Sequence, residues 1–145
     1  ISSTFWSERS GPVAANKTLD IMDRTKSWKI ITGIGNEIQK KWKLLGKKHN
    51  LNIQISGIPA LSSFSIVSSD WLKYKTFITQ EMLKKGFLGT NAIFVSVKHN
   101  KKILKIYFEI LDQLFFQISE FELGKKSVDE KLNGAICHSG FKRLN

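Results

Sequence analysis

Across positions 12–50, apolar residues recur at three- and four-residue steps, the spacing of one helical face. Ala15, Leu19 and Met22 fall on one face of a first helix. Trp28, Ile31, Ile34, Ile38, Trp42 and Leu45 fall on one face of a second. Ser10 suits the N-cap of the first helix, with Pro12 in its first turn. Ser27 suits the N-cap of the second, which predicts a break near Thr25-Lys26. Asn50 is a helix stop, and the pattern changes there.

Leu51, Ile53 and Ile55 then alternate with Asn52, Gln54 and Ser56, the period of a half-buried strand over 51–57. Gly57-Ile58-Pro59-Ala60 reads as a turn, and 61–67 as a second strand with Phe64 and Ile66 on one side. So short a connection predicts an antiparallel hairpin. Ser68-Ser69-Asp70 caps a helix carrying Trp71, Tyr74, Ile78 and Met82. That helix ends at Lys84-Lys85-Gly86, with cations at the negative pole and Gly at the cap. Phe87-Leu88-Gly89 predicts a short third strand, and Ile93, Val95 and Val97 a further extended piece. After Asn100 a long helix places Ile103, Tyr107, Ile110, Leu114, Ile118 and Phe121 on one face and closes at Gly124. Residues 127–132 read as a helical turn and 133–145 as irregular. The order predicts an α+β fold, in which a small antiparallel sheet of about three strands is covered on one face by helices.

Composition narrows this reading. The 145 residues, 41% hydrophobic with 10 Phe and 4 Trp, suit one folded domain and not a disordered tail. No apolar run reaches the length of a membrane span. The single Cys137 excludes an intrachain disulfide framework and fits a reducing, cytoplasmic setting. A net charge of +11 invites a nucleic-acid reading. The lysines, however, come as doublets along helix-like segments: Lys40-Lys41, Lys47-Lys48, Lys84-Lys85, Lys101-Lys102 and Lys125-Lys126. Doublets so spaced read as solvated faces. With no zinc-finger spacing, RNP signature or Arg-rich arm, the pattern argues against nucleic acid.

The N-terminus carries the most specific chemistry. Ser3-Thr4-Phe5-Trp6-Ser7-Glu8-Arg9-Ser10-Gly11-Pro12 runs straight into the first helix. With no initiator Met, the chain opens inside this Ser/Thr-rich turn, which reads as a piece of a longer protein. Hydroxyls and free N–H groups just ahead of a helix are good phosphate ligands. Ser3-Thr4-Phe5, the polar turn, Pro12 and the small-residue start Val13-Ala14-Ala15 resemble the Ser-Thr-aromatic…Asn-Pro turn of class-III aminotransferases. These are fold-type I pyridoxal-phosphate (PLP) enzymes, and the glutamate-1-semialdehyde aminomutase branch resembles the chain most. Gly11 stands where the family has Asn, and the turn at 6–10 is longer. Val95-Ser96-Val97-Lys98-His99-Asn100-Lys101-Lys102-Ile103 is similar to the family's Ser-x-Ala-His-Thr segment, with Lys101 and Lys102 where the family has acids. The stretch from Gln80 to Leu88 likewise sits where that family places a helix and then its last strand.

The resemblance spans nearly the whole chain and implies the C-terminal small domain of such an enzyme. Residues 1–11 would then end a missing large domain, and 12–145 would be the small domain. Ser3 and Thr4 would bind the cofactor phosphate, Thr4 across a homodimer interface. The substrates implied are an amine donor and a carbonyl, or one molecule rearranged as by an aminomutase, an isomerase. The covalent Lys and the acid facing the pyridine nitrogen would lie upstream, so this chain alone is expected to be inert. The residues by themselves leave a rival open: a non-enzymatic, Lys-rich α+β binding module for an acidic partner or RNA.

Other candidates are weaker. Cys137-His138-Ser139 are sequence neighbours, which rarely point at one another as a nucleophile and base must. The aromatic and polar tail that holds them can pack back near the active site of a full enzyme. His49 sits where it favours a helix dipole, and His99 where it bonds locally; three scattered His and one Cys give no metal-ligand spacing. Thr32-Gly33-Ile34-Gly35 lacks the third Gly of a dinucleotide fingerprint and reads as helix–helix packing. Glu8 and Arg9 read as a surface ion pair.

Overall fold

The computed structural model describes residues 8–140. Helices α1 (Ser10–Thr25) and α2 (Ser27–Lys48) lead into strands β1 (Ile53–Ile58) and β2 (Leu61–Ile66). Helix α3 (Trp71–Lys84), strand β3 (Ala92–Phe94) and helix α4 (Lys101–Glu122) come next, then a 3-10 turn at Asp129–Lys131. The sheet order is β1-β2-β3, antiparallel throughout. Helices cover one face, so the expected α+β architecture is the one observed.

The register explains which face is covered. Ile55 pairs with Phe64 and Ile53 with Ile66, which puts the apolar set of β1 and β2 on one side. Phe64 and Ile66 are buried there with Ser62, whereas Gln54 and Ser56 face solvent. Phe64 is met by one aromatic ring from each covering helix: Trp42 of α2 at 5.0 Å, Trp71 of α3 at 6.2 Å and Phe115 of α4 at 5.6 Å. Its burial contributes roughly 2–3 kcal/mol.

Several local expectations are corrected. Residues 87–89 are not a strand. The α3 C-terminus closes with Gly86 N–H on Leu83 O and Phe87 N–H on Met82 O, and Gly86 has φ +80. That left-handed cap uses the Phe87 N–H and packs its ring on Tyr107, so the edge of β2 is taken by 92–94 instead. The turn at 57–60 shrinks to Pro59-Ala60, because Gly57 and Ile58 pair with Ser62 and Leu61. Ser10 is the first helical residue and Arg9 the N-cap, without a side-chain cap bond. Ser27 likewise lies inside α2; the break is made by Lys26 in the left-handed region at φ 50. At α4 the cap is real, since Asn100 Oδ1 accepts from Ile103 N–H at 3.0 Å. The α4 core face is wider than expected: Leu104, Phe108, Leu111 and Phe115 are buried, while Ile103 is exposed.

Gly35 serves strand–helix contact, not helix–helix contact. A Cβ there would lie 1.9 Å from Pro59 O, so the hairpin turn rests directly on the α2 backbone.

Candidate functional site

Ser3 and Thr4, expected to contact a phosphate, lie outside the described residues. Helix α1 comes next along the chain, and its first turn has no acidic residue and no side-chain cap. The carboxylate nearest the positive end of that helix is Glu8, just ahead of it. Glu8 and Arg9 do not pair with each other; the Glu8 carboxylate accepts from Ser10 Oγ at 3.4 Å.

The second resembling stretch forms the approach to α4. Ser96 N–H donates to His99 Nδ1 at 2.9 Å, so the neutral ring carries its proton on Nε2. His99 bonds locally, as expected. It also lines a cavity of about 340 Å³, shared with Phe87, Leu88, Ile93, Phe94 and Tyr107. Tyr107 is buried, which pushes its phenol well above the ordinary range. Tyr74 is raised by burial first and then by the neighbouring Glu122 carboxylate.

His49 is held by Asp112, a residue the linear pattern did not flag. His49 Nε2 lies 2.6 Å from Asp112 Oδ1, and Lys48 Nζ lies 2.6 Å from Oδ2. Burial pushes the Asp112 carboxyl up, but the bonds from Lys48 and His49 outweigh it and hold the group below its ordinary value. The cluster clamps the end of α2 to the middle of α4. Asp112 sits between the buried Leu111 and exposed Gln113, at the edge of the α4 core face. That edge position was the one signal the sequence offered.

Cys137 is not arranged for catalysis with His138 or Ser139. Its backbone N–H donates to Thr76 Oγ1 at 2.9 Å, and its Sγ lies 3.5 Å from Leu72 O, so the tail packs on α3. Among the described residues no cluster of three or more His, Cys, Asp or Glu could hold a metal. No described helix is long and apolar enough to cross a membrane. No lysine among the described residues is buried. The half-exposed Lys73 is pushed above its ordinary value by hydrogen bonds to Asp129 and then Asp70. A lysine that holds a carbonyl cofactor covalently needs the opposite, a desolvated pocket that favours the neutral amine.

No family model matches the chain, and no curated protein sequence matches it. A solved structure does share its fold. The PLP internal aldimine form of the FumI protein of Sphingopyxis sp. MTA144 superposes with a TM-score of 0.73 at 18% identity. The match covers 84% of this chain and 30% of that one, so the chain spans less than a third of that protein's length.

Proposed function

We propose that this chain is the C-terminal small domain of a larger PLP-dependent enzyme of the aminotransferase kind, related to the class-III branch. The parent would transfer an amino group from an amine donor to a carbonyl, or move it within one molecule as an aminomutase does. One observation carries this reading. A chain of this size shares its fold over 84% of its length with a PLP enzyme, while matching 30% of that enzyme's length.

Within this proposal, residues 1–11 end the large domain and 12–145 form the small one. PLP, when bound, supplies the electron sink for amino-group chemistry. The chain's own part is to bind and enclose. Ser3 and Thr4 hydroxyls donate to the cofactor phosphate, Thr4 toward the partner subunit of a homodimer, and the domain forms one wall of the substrate site. The described residues offer no buried lysine, so they do not fit the covalent role. That lysine and the acid facing the pyridine nitrogen are assigned to the large domain. The one cysteine fits a cytoplasmic protein.

The test is made on the full-length parent. It should bind PLP, seen by its visible absorption and by borohydride fixation on one lysine outside this chain. Thr4→Ala should weaken cofactor binding about tenfold or more, the loss of a charged hydrogen bond. A parent that binds no PLP, or an unchanged affinity in Thr4→Ala, removes the respective assignment. Stoichiometric fixation of PLP on the isolated chain would show a complete site here.

A second reading keeps one observation in its favour. Lys40, Lys43 and Lys47 line the outward side of α2, and among the described residues none has an acidic partner in salt-bridge range. As a binding module, the chain would use that ridge for an acidic partner or RNA. Salt-sensitive binding of polyglutamate or RNA, abolished by replacing the three lysines with Gln, would favour it over the enzyme reading.

A further inference from the structure

The cavity beside His99 borders Ala92, Ile93 and Phe94, three consecutive residues of β3. Side chains alternate along a strand, so a hollow on one face of the sheet does not touch three in a row. The cavity therefore lies along an edge of β3. The other edge is taken by β2: Phe64 N–H donates to Asn91 O and Val95 N–H to Ala60 O, each at 2.9 Å. By the alternation of an antiparallel ladder, Ala92 and Phe94 turn their N–H and C=O groups to the free edge. No described residue takes them. The facing wall is 87–89, joined to β3 by Thr90 and Asn91 alone. That closed end is fixed to β2, since Asn91 Nδ2 also donates to Phe64 O at 2.9 Å. Helix α4 supplies the floor with Leu104 and Tyr107, and the Phe87 ring stands 6.2 Å from that of Tyr107. His99 lines the cavity with Nδ1 committed to Ser96 N–H, which leaves Nε2–H without a partner among the described residues.

We propose that this cradle binds a small planar ring carrying a cis-amide, with N–H beside C=O, as in a lactam or a nucleobase. At a free edge a single residue presents its N–H and C=O side by side, the complement of such an amide. The rings of Phe87, Phe94 and Tyr107 suit a flat apolar body. The volume of about 340 Å³ is at the small end of ligand sites, room for a small fused ring. His99 Nε2–H offers one further donor to a carbonyl oxygen. An added strand, from another protein or a second copy, fits less well. It would have to run on past Ala92, where Thr90-Asn91 shut the slot. Every group involved belongs to this chain, so the proposal stands apart from the reading of the parent as a PLP enzyme.

Titration of the chain with 2-quinolone, a planar lactam, and with hypoxanthine, a nucleobase, tests this by amide NMR. Saturable shifts at the Ala92 and Phe94 amides are expected. N-methyl-2-quinolone, its N–H blocked, should bind at least about tenfold more weakly than 2-quinolone. Ile103 lines the cavity and is exposed, so Ile103→Trp should close the mouth and abolish binding while far-UV dichroism stays unchanged. Should that variant not fold, the N-methyl comparison decides by itself. Tighter binding of hypoxanthine assigns the cradle to a nucleobase, and tighter binding of 2-quinolone to a lactam; either upholds the proposal. It is overturned by the absence of saturable binding, by equal affinity for the N-methyl compound, by shifts confined to another surface, or by undiminished binding to folded Ile103→Trp.

Discussion

The indole Nε1–H of Trp42 donates to the phenolic oxygen of Tyr107 at 3.0 Å, joining α2 to α4 across 65 positions of sequence. Both rings are buried, and each polar atom finds its partner in the other. Trp42→Phe should therefore cost more than its lost area, roughly 1–3 kcal/mol for the hydroxyl left without its donor. Tyr107→Phe should cost a similar amount for the orphaned indole N–H. The double variant should be less destabilised than the sum of the two, as measured by urea unfolding. Strict additivity would show that the bond contributes nothing.

Gly35 and Gly33 make a matched pair two residues apart on α2. A Cβ at 35 would strike the carbonyl of Pro59, while a Cβ at 33 meets nothing within 4 Å. Gly35→Ala should destabilise by about 1–3 kcal/mol, because backbone must move. Gly33→Ala should stabilise by about 1 kcal/mol, from helix propensity alone. Thermal melts of the two variants in opposite directions are the expected result.

The Asp112 clamp predicts acid sensitivity. The folded carboxyl is held below its ordinary value of 3.8, so folding favours the ionised form. Its contribution is present above the unfolded value and is lost as pH falls through the folded one. Asp112→Asn should lower stability at pH 7 by up to roughly 1 kcal/mol. The gap to wild type should close as pH drops below about 4. Unfolding curves at pH 7 and pH 3 check this; a gap that widens in acid would assign the clamp's value to something other than ionised Asp112.

The tail beyond α4 is tied to one face of α3. Thr76 Oγ1 accepts from Cys137 N–H, and Gln80 Oε1 accepts from Asn133 N–H at 2.8 Å. Thr76→Val should free the thiol, raising its rate of labelling by a disulfide reagent about fivefold, the equivalent of one hydrogen bond. Adding Gln80→Ala should raise it further, while far-UV dichroism stays unchanged. No increase in either variant would show that packing, and not these bonds, holds the tail.

Periodicity alone carried much of the architecture. The steps from Ile31 to Leu45 and from Tyr107 to Phe121 can bury a stripe only as helices, and the alternation at Leu51–Ile55 only as a strand. The hairpin came with it, since so few residues separate its strands. The third strand was not legible. Both 87–89 and 92–94 are short apolar pieces, and which one joins the sheet depends on which backbone N–H groups remain free after α3 closes its end on Gly86. The cap at Ser27 failed for a related reason: a left-handed Lys26 fixes the bend without a hydroxyl.

The candidate site divides the same way. Residue types at Ser3 and Thr4 suggest a phosphate from sequence alone, and so do the turn and the helix after them. Tertiary structure decided the rest: that His49 meets Asp112, 63 positions away, that Gly35 lies under Pro59, and that the apolar stripe of α1 stays uncovered. A sequence states which face of a segment is apolar, because that depends on spacing within it. The cover on that face depends on packing between segments far apart in the chain, and that is settled only when all of them compete for the same core.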